Sequence, residues 1–89
     1  MTVFIPWPLR SYVAGKSQLE VEVSEAPDLA NLLLTLDRRH PGMRFRMVNE
    51  QNQLREHIRL FVGQELSLSL ETSLEGVKEV HIICALSGG

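Results

Sequence analysis

Leu29, Leu32, Leu33 and Leu36 recur at i, i+3, i+4 and i+7, which predicts a helix with one apolar stripe. Such a stripe has to be covered, and short one-sided runs on both sides of it can do so. Residues 18–23, QLEVEV, alternate apolar and charged side chains, and in residues 56–62 Ile58, Leu60 and Val62 alternate with His57, Arg59 and Phe61. Period two is the signature of a strand with one face in a core. A single amphipathic helix among one-sided strands predicts an α+β layer fold. Pro27 suits the first helical turn, and Asp28 complements the positive end of the helix. Arg38, Arg39 and His40 occupy the opposite end, before Pro41-Gly42 stops it.

The remaining segments fit around this pair of periods. Residues 2–5 read as a first strand, closed by Pro6-Trp7-Pro8, where proline removes a ladder donor. Trp7, flanked by prolines, is expected to be a packing anchor. Residues 9–14 suit one helical turn ending at Gly15, and residues 43–48 suit a second short helix. After a turn at Gly63-Gln64-Glu65, Leu66, Leu68 and Leu70 alternate with Ser67 and Ser69 as a return strand. Residues 80–86 form the most continuously apolar run, as expected of a central strand, most simply paired with the first. Strand, strand, helix and three strands in that order predict a β-grasp, or ubiquitin-like, arrangement: a mixed sheet of four to five strands packed on one main helix.

The 89 residues, at a formal charge of −2, are expected to form one small domain, 1–89. That balance lacks the basic surplus of a nucleic-acid binder and the basic amphipathic helix of a membrane-surface protein. The start of the chain resembles neither a signal peptide nor a membrane span, so a cytoplasmic location is expected. Phosphate-loop, dinucleotide and HExxH signatures are absent. His40, His57 and His81 lack metal-ligand spacing, and no metal site is expected. Cys84 is the only cysteine. Parity with Val80 and Ile82 points it inward, where a thiol behaves as a small hydrophobe with a raised pKa.

Chemistry concentrates at the other end. The last strand runs into Ser87-Gly88-Gly89. A carboxylate is a poor electrophile, but ATP can convert it to an acyl-adenylate with a good leaving group. Reaching the adenylating site means threading a narrow channel, and two glycines bring no Cβ and free access to extended conformations.

The segments VFIPWPLRSYVAGKSQLEVEV, RRHPG, LREHIRLFVGQEL and EVHIICALSGG together resemble the ubiquitin-like sulfur-carrier family known as MoaD/ThiS. The resemblance covers nearly the whole chain. The HPG and LREHIRLFVG stretches look most like carriers that deliver sulfur in amino-acid biosynthesis, with the molybdopterin-synthase small subunit close. It implies a protein co-substrate, or the small subunit of a sulfur-transferring synthase, with no bound cofactor of its own. An E1-like adenylating enzyme would use ATP and magnesium on Gly89, a sulfurtransferase or desulfurase would supply sulfur, and the resulting thiocarboxylate would feed an acceptor synthase. A processing metallopeptidase is a further implied partner. Members often carry proline where Cys84 stands and Asn-Gly where this chain has Gly63-Gln64; these departures bear on the subfamily, not on the terminus.

Strand parity predicts a surface for these partners. With Val3, Ile5, Ile58, Leu60, Val80 and Ile82 inward, Phe4, Arg59, Phe61, His81 and Ile83 face out. If the first, third and last strands are neighbours, Phe4, Phe61 and Ile83 form an exposed apolar patch, the kind that marks an interface on a small domain. Two other functions share these features: a covalent modifier joined through Gly89 to a lysine, and a non-covalent interaction module.

Overall fold

The alternation of the strands and the stripe of the helix meet in one core. The structure is a computed structural model and describes residues 1–85. Five strands, β1 (Thr2–Phe4), β2 (Gln18–Glu20), β3 (Ile58–Val62), β4 (Glu65–Ser67) and β5 (Glu79–Cys84), form one sheet in the order β2-β1-β5-β3-β4. β5 runs parallel to β1 and antiparallel to β3, while β2 and β4 pair antiparallel at the edges. This is the mixed sheet of a β-grasp fold, with β5 central.

Helix α1 (Leu29–Arg39) presents Leu29, Leu32, Leu33 and Leu36, all fully buried, to Val3, Ile5, Ile58, Leu60, Val80 and Ile82 of the sheet within one cluster. Its first turn is closed on every side. The Asp28 carboxylate accepts from the Asn31 N–H at 2.8 Å. The Leu29 and Ala30 amides donate to the carbonyls of Thr72 and Leu70 at 3.1 and 2.8 Å. Asp28 is therefore the N-cap itself, one step before the first helical turn in which its charge was expected. Pro27 precedes the helix and accepts from Leu74, a buried residue. A second helix, α2 (Met43–Met47), follows Gly42 at φ 94°, and the Asp37 carboxylate holds the Gly42 and Arg44 amides at 3.1 Å each.

Three expectations are corrected. β2 stops at Glu20, because the chain turns into a 3-10 segment, Val23–Glu25, before the alternation ends. β4 has the opposite parity to that expected from its leucines. Gly63-Gln64 makes a two-residue hairpin that pairs Val62 with Glu65, and this register sets Ser67 against Leu60 on the core side. Gly63 sits at φ 62°, the positive angle that a type II′ turn needs at its first central position. Leu66 and Leu68 consequently point outward, while the Ser67 hydroxyl is satisfied by Ser69 and Thr72. Trp7, expected as a packing anchor, is 79% exposed. It opens a 3-10 segment, Trp7–Val13, whose buried residues are Leu9 and Val13.

Candidate functional site

With α1 covering one face of the sheet, the other face carries the residues of opposite parity. The strand registers place Phe4 beside His81, His81 beside Phe61 and Phe61 beside Leu66, a continuous row across β1, β5, β3 and β4. The rings of Phe4 and His81 stack with centroids 4.4 Å apart and planes within 5°. His81 Nε2 also lies 3.5 Å from a carboxylate oxygen of Glu79, its neighbour on the same face. One step toward the end of β5, Ile83 pairs with Arg59. The Arg59 guanidinium folds back onto the carbonyls of Glu56 and Ile58, which pins it at the margin of the apolar row. All five residues expected in the patch therefore share one face.

The structure adds three side chains that strand parity did not supply. Trp7 and Ile83, together with Phe4, Pro6 and Cys84, line a shallow apolar concavity where β1 leaves the sheet. Leu66 extends the row onto the edge strand, and Leu68, 85% exposed, lies beyond it. The prolines flanking Trp7 place it on the turn that leaves the sheet, but they do not say whether its ring is buried or displayed. For Leu66 the signal was the two-residue spacing of the hairpin. Aromatic and aliphatic side chains with a guanidinium at their margin are the residue types that interfaces are enriched in. What this face can do chemically is bind.

Cys84 is half-buried against the core, and burial pushes its thiol pKa up, as its inward parity suggests. The pairing of β5 with β3 continues one residue further, as the Ala85 amide donates to the His57 carbonyl at 2.6 Å. Ser87, Gly88 and Gly89, the expected reactive end, lie outside the described residues. Among the described residues, no group of three or more His, Cys, Asp or Glu is placed to hold a metal ion, and no helix is long and apolar enough to cross a membrane.

Several solved structures share this geometry over nearly their whole length. A chain of the Amycolatopsis orientalis BexX/CysO complex is 28% identical, with a TM-score of 0.83 over 99% of this chain and 98% of that one. CysO of Mycobacterium tuberculosis, described as an antigen, is 22% identical at a TM-score of 0.84 over 96% and 98%. SAMP1 from Haloferax volcanii, a small archaeal modifier protein, is 21% identical at 0.76 over the full length of both. No protein-family model matches the sequence, and no curated protein matches it. The chain has the ubiquitin-like fold of the MoaD/ThiS-type sulfur carriers, as the sequence resemblance implies, and its structural neighbours are small carrier or modifier proteins.

Proposed function

We propose that this ubiquitin-like chain is a sulfur carrier whose cargo is loaded on the carboxyl group of Gly89. In the first step that carboxylate attacks the α-phosphorus of ATP in an E1-like partner, which holds the nucleotide and its magnesium, and pyrophosphate leaves. In the second, a sulfide sulfur attacks the acyl carbon, the bond to the adenylate oxygen breaks, and AMP departs. The product is a thiocarboxylate, whose sulfur attacks the substrate of an acceptor synthase and expels its leaving group; water then cleaves the acyl–sulfur bond and the chain returns as a carboxylate. A sulfurtransferase or desulfurase supplies the sulfur as a persulfide, from which a thiol reductant releases sulfide as a disulfide forms, and a metallopeptidase frees the terminus where transfer leaves it blocked.

The chain's own part is presentation. The face of Phe4, Phe61, His81, Ile83 and Arg59 docks the partner, and Trp7 and Leu66 widen the contact. Ser87, Gly88 and Gly89 enter the partner's channel, the glycines because no Cβ projects from them. One observation carries this reading: the open apolar face is built around β5, the strand whose sequence leads into Gly88-Gly89.

The test is intact mass. Incubation with a cognate E1-like enzyme, ATP, magnesium and sulfide gives the increment of one oxygen-to-sulfur exchange, localised to Gly89. Removing Gly88 and Gly89 abolishes it while the melting temperature stays unchanged. A natural product that continues past residue 89 without trimming, or a full chain that is never adenylated, overturns the proposal. The likeness to a modifier protein favours a second reading, in which a lysine amine replaces sulfide as the acceptor; isopeptide-linked products in cell extract would establish it.

A further inference from the structure

The charges of this acidic chain are unevenly partnered. Arg39 pairs with a Glu25 carboxylate at 2.7 Å, and the terminal amine lies 3.9 Å from Glu20. Around α2 and the segment leading into β3, the arginines are held by neutral acceptors instead. Arg46 Nε donates to the Tyr12 hydroxyl at 2.7 Å. Arg55 Nε donates to the Phe45 carbonyl at 2.7 Å, and its guanidinium lies over the Phe45 ring at 4.6 Å from the centroid. Arg59 rests on the carbonyls of Glu56 and Ile58. Among the described residues none of these three is within ion-pair distance of a carboxylate. Each guanidinium has five N–H donors, so one or two neutral bonds orient it and leave both charge and donors for something else.

Arg46, Arg55 and Arg59 line one open groove of about 1570 Å³, together with His57, and the groove runs up to Ala85. We propose that this groove is a docking site for an acidic segment of a partner protein, gripped beside the exit of β5. Charge complementarity selects the occupant: preoriented guanidinium forks match carboxylates, and complementary charge raises association rates and fixes register. Glu56 and Glu71 line the same groove, so an occupant's carboxylates must fall at the guanidiniums rather than along the whole groove. Leu54, Leu68 and Leu70 in the walls suit the apolar side chains of a peptide. The identity of the partner rests on the carrier reading above; the affinity of the groove for carboxylates does not.

The deciding experiment is a titration of the full, isotopically labelled chain with an oligoglutamate peptide, followed by the amide and arginine Nε resonances. Shifts centred on Arg46, Arg55, His57 and Arg59 are expected, weakening as salt rises. The double variant Arg46→Gln, Arg55→Gln should weaken binding about fivefold, in line with two exposed charge contacts, with an unchanged melting temperature. The control Arg39→Gln, on the Glu25 side, should stay within about twofold on the same reasoning. Shifts spread over the whole surface, an equal loss in the Arg39→Gln control, tighter binding of oligothymidylate than of oligoglutamate, or the same shifts from inorganic phosphate alone would each overturn the inference. Failure of adenylation with the groove shifts intact would instead sink the carrier reading and leave the groove standing.

Discussion

Leu60 and Phe61 are consecutive residues on β3, yet they belong to opposite faces of the sheet. Leu60 is fully buried under α1, whereas Phe61 sits half-buried between His81 and Leu66 on the uncovered side. The same alternation separates Val3 from Phe4 and Ile82 from Ile83. The covered face is aliphatic except for Ser67 and Cys84 toward its margins, and its centre is packed to exclusion of water, so its residues fix the fold. The open face mixes aromatic, aliphatic and charged groups, a composition suited to a surface that is covered only part of the time. One set of strands thus carries two largely independent sets of side chains, and substitutions can separate them.

Truncation on the covered face gives the largest effect. Leu60→Ala should destabilise the fold by about 2–5 kcal/mol, as lost transfer and cavity terms add; chemical denaturation measures it, and a loss below about 1 kcal/mol would break the distinction between the faces. On the open face, Phe61→Asp should reduce kcat/KM for adenylation about tenfold, about 1.4 kcal/mol of binding. Its cost to stability should stay near or below about 1 kcal/mol, the span of strand-propensity and cross-strand effects. Unchanged adenylation kinetics would remove this face from the partner contact. Asp28→Ala tests the lid over the covered face: loss of the cap to the Asn31 amide should cost about 1 kcal/mol without altering adenylation.

The smallest effect lies at the boundary, with Cys84. Burial raises its pKa above the ordinary thiol value of 9.0, so the folded chain holds this proton more tightly than the unfolded one. Any stability this provides is present below the unfolded thiol pKa and is lost as pH rises through the folded one. Melting temperatures measured from neutral to strongly alkaline pH should therefore fall slightly more for the natural chain than for Cys84→Ala. Equal slopes would place the thiol in water.

The leucine stripe and the alternating runs made the fold legible because each period reports burial directly. They did not make β4 legible: Leu66, Ser67 and Leu68 alternate as well as any strand, but alternation does not say which set points inward. That choice was made by the two-residue hairpin at Gly63-Gln64, whose register ties Ser67 to Leu60. Trp7 misled for a related reason, since apolar surface near prolines is compatible with either burial or display. Five residues of the candidate site followed from parity alone, Phe4, Arg59, Phe61, His81 and Ile83. The arginine groove was invisible to it, because Arg46 and Tyr12 meet across 34 positions of sequence. The end expected to react follows from chemistry and resemblance alone and lies beyond the residues described.

The central place of β5 also has a mechanical side. A pull applied at Ala85 along the strand axis meets the parallel ladder to β1 on one flank and the antiparallel ladder to β3 on the other. These bonds lie across the direction of pull and must shear together, whereas an edge strand such as β4 can be peeled one bond at a time. A machine that drags proteins apart from the carboxyl end would thus engage this sheet along its most resistant direction.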